Sequence, residues 1–202
     1  MAKICASPAL KVLGGSVSIA AMKPPHAILK KCLFIMAGGL AGLACRAGET
    51  TPEAKLAALG VTLPAVPAAI ANYVPAVRSG NLVFLAGQLA KGPDGKFLTG
   101  KVGRDLTLEQ GAAAARTCAI QLLAVLKAEV GDLAKVKRIV RVGGFVNCTE
   151  DFTAQPKVVN GASDLLVAVF GDQGRHARAA VGVNALPAGA PVEVELVAEV
   201  TD

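Results

Sequence analysis

The sequence has 202 residues, which is enough for one domain with a full hydrophobic core and short for two. Six of the 21 Lys and Arg residues precede Glu49, whereas all 15 Asp and Glu residues lie at or after it, so the net charge of +6 belongs to the N-terminal segment. The remainder is neutral and the chain is only 3% aromatic, which argues against a nucleic-acid-binding surface.

The first 47 residues have the layout of a secretory leader. A basic segment from Met22 to Lys31 precedes an apolar run from Cys32 to Ala44, and that run is too short to span a bilayer comfortably. We therefore predict a signal peptide over residues 1–47 and an exported, periplasmic protein. Cys45 follows a segment similar to a lipoprotein cleavage box, so a lipid anchor there stays open. The same segment is compatible with a cytoplasmic protein whose start codon is misplaced, or with an organellar transit peptide.

Residues 48–70 are predicted to form a connector, followed by the domain proper over 71–202. Within the connector, Thr51 before a proline suits the start of a short helix over 52–59, which ends at Gly60.

The domain begins with a predicted β-hairpin. The apolar runs 73–77 and 82–88 flank Arg-Ser-Gly-Asn at 78–81, a sequence typical of a hairpin turn. A short third strand is expected over 97–99, after a turn rich in glycine and proline.

Two longer helices surround a long strand. Thr-Leu-Glu-Gln at 107–110 is a capping-box pattern that opens a helix ending at Gly131. Its apolar residues recur at helical spacing and predict one face packed on a sheet. The β-branched segment 136–147 favours a strand, and 156–170 is predicted to be the second helix.

The C-terminal part is predicted to be a strand, a short turn and a strand, paired as a hairpin over 174–195. In the last strand, apolar residues alternate with Glu193, Glu195 and Glu199, which places the glutamates on one face of the sheet. Arg178 lies in the other strand, where it could pair with Glu193 or Glu195 across the hairpin or bind a ligand. The whole order predicts an α+β domain with an antiparallel or mixed sheet covered on one face by two helices.

Four segments resemble the RidA family, also called YjgF-like or L-PSP proteins. They are ANYVPAVRSGNLVFLAGQL at 71–89, FVNCTEDF at 145–152, HARAAVGVNALP at 176–187 and VEVELVAEV at 192–200. The resemblance implies a chorismate-mutase-like fold and a homotrimer with ligand clefts between subunits. It also implies hydrolysis of enamine or imine intermediates to 2-oxo acids and ammonia, without a cofactor. The partners it implies are small imino or oxo acids, with no nucleic acid.

The same resemblance implies roles for single residues. Arg178 stands where the family has the arginine that binds the substrate carboxylate, and a planar guanidinium suits this role because it can pair with two oxygens at once. Glu193 stands where the family has the glutamate that positions the attacking water. Tyr73, Gly87 and Asn160 match residues that line the cleft.

Two positions depart from the family pattern. Ala86, also a cleft position, stands where a serine is usual, and Ala180 stands where a cysteine is usual. Both changes remove polar contacts near the ligand, which leaves the substrate range and the rate open. The alternative function is a non-catalytic trimer that binds small 2-oxo acids. RNA cleavage, an activity reported under the L-PSP name, fits the neutral body least well.

The remaining chemistry-bearing residues are interpreted structurally. After Cys45 the only Cys and His residues are Cys118, Cys148 and His176, too few for a zinc site of such ligands within one chain. His176 has no nucleophile motif beside it and is expected to be a loop residue. Cys118 is expected to be a small core residue and Cys148 a strand-end residue, and a disulfide between them stays open if the protein is exported.

Overall fold

The computed structural model describes residues 50–66 and 72–201. The predicted leader over 1–47, with the candidate lipid-anchor position Cys45, lies outside the described residues, as do 48–49 and 67–70 of the predicted connector and residue 71 of the predicted domain. The helices are α1 (Pro52–Ala58), α2 (Leu108–Val130) and α3 (Gln155–Phe170), and the strands are β1 (Ala76–Ser79), β2 (Leu82–Leu89), β3 (Val136–Asn147), β4 (Ala177–Val183) and β5 (Val192–Val200).

The predicted start of α1 and both predicted ends of α2 are confirmed, and α1 ends at Ala58, one residue before its predicted end. The Thr51 hydroxyl accepts a hydrogen bond from the backbone N–H of Ala54 at 3.2 Å, which caps α1. In α2, Thr107 and Gln110 bond reciprocally, each side chain accepting from the other's backbone N–H at 3.2 and 2.8 Å. Gly131 ends α2 with a φ of 81°, a left-handed conformation that favours glycine.

The five strands form one mixed sheet in the order β1-β2-β5-β3-β4. Neighbouring strands are antiparallel except β3 and β4, which are parallel because α3 connects them as a crossover. Helices α2 and α3 cover one face, so the predicted mixed sheet covered by two helices is confirmed. Helix α1 packs on the same core through Leu56, which is only 3% exposed.

Helix α2 is the central helix of the core. Its Leu122, Leu123 and Leu126 are fully buried against the sheet and α3. Helix α3 approaches it closely at Gly161, where a Cβ atom would collide with the backbone of Ala112. By length and composition α2 is the one described helix that could cross a membrane, and most of it is buried as a core helix is.

The predicted hairpin over 174–195 is wrong. Strand β3 lies between β4 and β5, so the two C-terminal strands are not neighbours. The crossover through α3 places β4 on the outer side of β3, at the edge of the sheet. The eight-residue connection over 184–191 then carries the chain past the end of β3. The predicted strand over 97–99 is also wrong, because only an isolated bridge between Lys91 and Phe97 forms there.

The irregular pattern of β3 has a structural cause. Val136, Ile139 and Val142 are buried at a spacing of three instead of two. The pairing of β3 with β5 shifts twice, between Val136 and Arg138 and between Ile139 and Arg141. Each shift turns the following residues to the other face, which keeps the large apolar residues under the helices.

The second face of the sheet is left uncovered by the described helices. Val77, Phe84 and Val181 are 54%, 45% and 45% exposed on the chain alone. Arg141 also lies on this face and forms an ion pair with Glu195 at 2.8 Å. We refer to this surface as the open face.

The described cysteines form no disulfide, and no metal-binding cluster is found among the described residues. Cys118 and Cys148 are buried free thiols, and burial raises the pKa of the Cys118 thiol, which keeps it protonated as expected of a core residue. Across the described ranges, no group of three or more His, Cys, Asp and Glu side chains could hold a metal ion.

Candidate functional site

The first half of the candidate site surrounds Arg178 at the edge of the sheet. Arg178 on β4 is in register with Val142 on β3, which is buried under the helices, so the arginine lies on the helix-covered side. Its Nη1 donates to Asn160 Oδ1 at 2.8 Å and to Ser163 Oγ at 3.0 Å, both on α3. We call Arg178, Asn160, Ser163 and His176 the arginine half-site.

The ion pair considered for Arg178 from the sequence is wrong. Glu195 pairs with Arg141 instead, and Glu193 lies on the other face of the sheet. No described carboxylate forms a salt bridge with Arg178, so its partners in the chain are neutral oxygens. Both protons of Nη1 are used by those oxygens, and the adjacent N–H groups on Nε and Nη2 are the pair left to bind an oxyanion side by side.

His176 joins this half-site, which sequence reasoning missed. Its Nδ1 lies 2.6 Å from the carbonyl oxygen of Gly174 and its Nε2 lies 3.0 Å from Ser163 Oγ. Burial lowers the pKa of His176 and the charge of Arg178 lowers it further, against the opposing effect of the Gly174 bond, so the ring is neutral at neutral pH. Two spacings in the sequence indicate this group. His176 and Arg178 are two residues apart at the start of β4, which puts their side chains on one side of the strand, and Asn160 and Ser163 are three residues apart on one face of α3.

The second half of the candidate site surrounds Glu193 on the open face. Glu193 is opposite Phe145 on β3 and Leu89 on β2, and its side chain is half-buried. It packs directly on Gly87, where a Cβ atom would lie 2.9 Å from the carboxyl carbon. No described residue donates a hydrogen bond to this carboxylate. Burial raises its pKa above the ordinary value, and the nearby charge of Glu195 raises it further.

A bulge in β2 contains Ala86 and places Gly87 against Glu193. Leu85 pairs with Leu196 and Gln88 with Val194, so Ala86 and Gly87 together oppose one residue of β5. The N–H of Ala86 donates to the carbonyl of Pro75 at 2.9 Å, and Tyr73, which is exposed, precedes this point by two residues. We call Glu193, Gly87, Ala86 and Tyr73 the glutamate half-site.

One chain does not bring the two half-sites together. The row Glu193, Phe145 and Val181 lies on the open face, and Arg178 is three residues from Val181, an odd number that puts it on the opposite face. Strand β3 also lies between β5 and β4, so the strands that carry Glu193 and Arg178 are about 10 Å apart across the sheet. A small molecule cannot bridge both side chains within one chain.

The two departures from the family pattern fall in different half-sites. Ala180 lies two residues beyond Arg178 on the same side of β4 and packs against the core. Ala86 is half-buried in the β2 bulge. Neither side chain can donate or accept a hydrogen bond, so each half-site has one polar contact fewer than the family pattern supplies.

The fold and the two half-sites define a class of α+β proteins with an arginine on a sheet edge and a carboxylate on the open face of the sheet. Residues 53–200 match the family described as "YjgF/chorismate mutase-like, putative endoribonuclease". The chain therefore belongs to the YjgF/RidA-like family, and its fold is the chorismate-mutase-like fold of that family.

Individual relatives agree with this assignment. Protein TCP17 of Trypanosoma cruzi is 49% identical over 74% of this chain and 94% of its own length. Protein HMF1 of Saccharomyces cerevisiae is 30% identical over 70% of this chain and 95% of its own length. A solved structure of a protein of unknown function from Agrobacterium tumefaciens is 44% identical, with a TM-score of 0.68 over 74% of this chain and 92% of that chain. A structure described as a "putative endoribonuclease" from Shewanella oneidensis is 38% identical, with a TM-score of 0.72 over 74% and 99% of the two chains.

Proposed function

We propose that the protein hydrolyses small 2-imino acids, and the enamines in equilibrium with them, to 2-oxo acids and ammonia. The observation that carries this proposal is the guanidinium of Arg178, which is held by two neutral oxygens and has no acidic partner among the described residues. Family membership is consistent with this reaction class, and Arg178 stands at the position where the resemblance leads us to expect a substrate-binding arginine.

In this proposal Arg178 binds the substrate carboxylate. Nε–H and Nη2–H point the same way along one edge of the guanidinium and match the two oxygens of a carboxylate. An arginine already paired with a glutamate would have to exchange that partner for the ligand. With Asn160 and Ser163 as neutral partners, the full positive charge is kept for the substrate.

Glu193 is proposed to move the protons of the reaction. The ionised carboxylate takes a proton from water while the water oxygen bonds to the imine carbon, and the imine nitrogen receives the electron pair of the C=N bond. Glu193 returns its proton to that nitrogen, giving a carbinolamine. It next carries the hydroxyl proton to the nitrogen as the C–N bond breaks, which leaves a 2-oxo acid and ammonia. A pKa above the ordinary value brings the carboxyl group closer to a range in which it can both accept and donate a proton.

The complete site is proposed to form between two copies of the chain in a homotrimer. The opposite placement of Arg178 and Glu193 supports this, because a second copy must supply whichever half-site the first lacks. The exposed apolar residues Val77, Phe84 and Val181 on the open face support burial of that face in an assembly.

The proposal is tested by adding purified protein to a threonine dehydratase reaction, which releases the imine of 2-oxobutanoate. We expect faster appearance of 2-oxobutanoate and ammonia in equal amounts, in proportion to the added protein and without added metal or cofactor. Release at the spontaneous rate at all protein concentrations would exclude the hydrolase.

A second candidate function is binding of 2-oxo acids without turnover. The observation that favours it is the loss of polar side chains at Ala86 and Ala180. Saturable binding of 2-oxobutanoate in a calorimetric titration, combined with no acceleration of imine hydrolysis, would select this function. RNA serves as the control ligand for the endoribonuclease description, and we expect no salt-sensitive binding because residues from Ala47 onward carry no net charge.

Replacing Gly87 with alanine is expected to lower kcat/KM for imine hydrolysis by about 10-fold or more, because the new methyl group would displace the Glu193 carboxylate. The backbone of Gly87 is not in the left-handed region, so the melting temperature should change little. Steady-state kinetics and thermal unfolding measure the two effects. The matched control repeats the change in a Glu193→Gln protein, where no further loss is expected; an equal loss there would mean that Gly87 acts independently of Glu193.

A further inference from the structure

We propose that Ser163 and His176 are positioning residues: a hydrogen-bond relay from the Gly174 carbonyl through His176 and Ser163 fixes the orientation of the Arg178 guanidinium. The inference rests on the proposed function for its consequence, carboxylate binding, but the relay itself is a property of the chain. Neither residue belongs to the set that the family resemblance assigned, and neither would touch the substrate.

The Gly174 carbonyl determines the direction of every bond in the relay. A carbonyl oxygen can only accept, so His176 Nδ1 carries the proton and donates it over 2.6 Å. In the neutral ring Nε2 then has a lone pair and no proton, and it accepts from the Ser163 hydroxyl at 3.0 Å. The hydroxyl proton is thereby committed to His176, which leaves the lone pairs of Ser163 Oγ to accept from Arg178 at 3.0 Å.

The relay makes Ser163 a directed acceptor for Arg178. A free serine hydroxyl rotates and can donate to the backbone of its own helix, which would turn its lone pairs away from the arginine. With the proton held by His176, Ser163 and Asn160 together occupy both protons of Nη1. Two acceptors then hold the guanidinium at Nη1, which leaves its Nε and Nη2 edge to bind an oxyanion as one unit.

The surrounding charges do not supply an alternative anchor. Arg175, which precedes His176, forms an ion pair with Asp172 at 3.0 Å on the exposed surface. Arg178 is the charged group whose field acts on the His176 ring, and it disfavours a second positive charge there. Protonation of His176 would place two cationic donors on one hydroxyl, so the relay requires the neutral ring.

The experiment is a double-mutant cycle on ligand affinity. NMR titration, which follows weak binding, measures the Kd of 2-oxobutanoate for the full-length wild type, Ser163→Ala, Arg178→Ala and the double variant. We expect Ser163→Ala to weaken binding by roughly 5-fold when Arg178 is present and by less than about 2-fold when it is absent. Ser163→Thr, which keeps the hydroxyl, should restore affinity, and Ser79→Ala, a hydroxyl deletion on the far hairpin, should not change it. Equal losses in both arginine backgrounds would overturn the positioning role.

A second measurement does not depend on the ligand. The ¹⁵N shifts of His176 should report the Nδ1–H tautomer, and the guanidinium of Arg178 should rotate slowly in the wild type and rapidly in Ser163→Ala and His176→Phe. An Nε2–H tautomer, or a guanidinium whose rotation is the same in all three proteins, would overturn the relay. If the relay is present but the wild type binds no 2-oxo acid, the proposed function fails and the positioning of Arg178 stands.

Discussion

Replacing Arg178 with alanine is expected to lower kcat/KM for imine hydrolysis by about 100-fold or more and to weaken 2-oxobutanoate binding to a similar degree. Two charge-assisted hydrogen bonds to a carboxylate contribute about 3 kcal/mol together, and each 1.4 kcal/mol is a factor of about ten. The folded chain should lose little stability, since Arg178 is exposed on an edge strand and its partners are neutral. Steady-state kinetics, ligand titration and thermal unfolding test these expectations together.

Two further arginine variants sharpen this prediction. Arg178→Lys keeps the charge and loses the planar fork, so we expect activity between the wild type and Arg178→Ala. Arg175→Ala is the matched control, because Arg175 is an exposed arginine three residues before Arg178 and pairs with Asp172. It should leave kcat/KM unchanged. Normal hydrolysis by the Arg178→Ala protein would remove Arg178 from the proposed mechanism.

Elements whose signals are local were predictable from the sequence. The reciprocal bonds of Thr107 and Gln110 and the left-handed Gly131 are determined by neighbours within a few residues, and they fixed both ends of α2. The strict alternation of β5 likewise placed Glu193, Glu195 and Glu199 on one face before their partners were known.

Strand pairing was not predictable in the same way. Two consecutive strands with apolar faces suggest a hairpin, but pairing depends on which strand offers a complementary buried edge. The parallel crossover through α3 put β4 beyond β3, and the eight-residue connection is longer than a tight hairpin turn requires. The apolar pattern of β4 does not identify β3 as its partner, so it does not determine the side of the sheet on which Arg178 lies.

The candidate site was predicted in parts. Arg178 and Asn160 were named from the family resemblance, and the structure brings them into direct contact at 2.8 Å. The spacings of His176 from Arg178 and of Ser163 from Asn160 hint at two pairs, but the bonds from Ser163 to Arg178 and to His176 depend on α3 packing behind β4, which spacing does not contain. The separation of Arg178 from Glu193 is likewise a consequence of strand order, which sequence spacing does not contain.

The second large effect is expected from Glu193→Gln. General acid–base catalysis contributes about 10²–10⁴ to a rate, so kcat should fall by about 100-fold or more. Glutamine has nearly the same shape and Arg178 is unchanged, so the Kd of 2-oxobutanoate should stay within about 3-fold of the wild type. A rapid-mixing assay for kcat and a titration for Kd separate the two quantities. A parallel loss of affinity would mean that Glu193 contributes to binding instead of proton transfer.

The pH profile gives the same prediction a second test. A base must be ionised, so kcat/KM should fall on acidification with an apparent pKa above the ordinary value for a glutamate. Glu195→Gln removes the nearby negative charge and leaves Arg141 without its partner, and both changes favour the ionised form of Glu193. The acidic limb should therefore move to lower pH in Glu195→Gln. Glu199→Gln, farther along β5 and paired with Lys137, is the control in which the limb should not move.

Stability distinguishes a catalytic Glu193 from a structural one. Burial raises the pKa of Glu193 in the folded chain above its unfolded value, so the stability contributed by its proton is present at low pH and lost as the pH rises through the raised pKa. Above that raised pKa the ionised carboxylate is thus a destabilising group without a hydrogen-bond donor among the described residues. Glu193→Gln should unfold at the same or a higher temperature while losing activity. A lower melting temperature at neutral pH would instead show that the carboxylate stabilises the sheet and has a structural role.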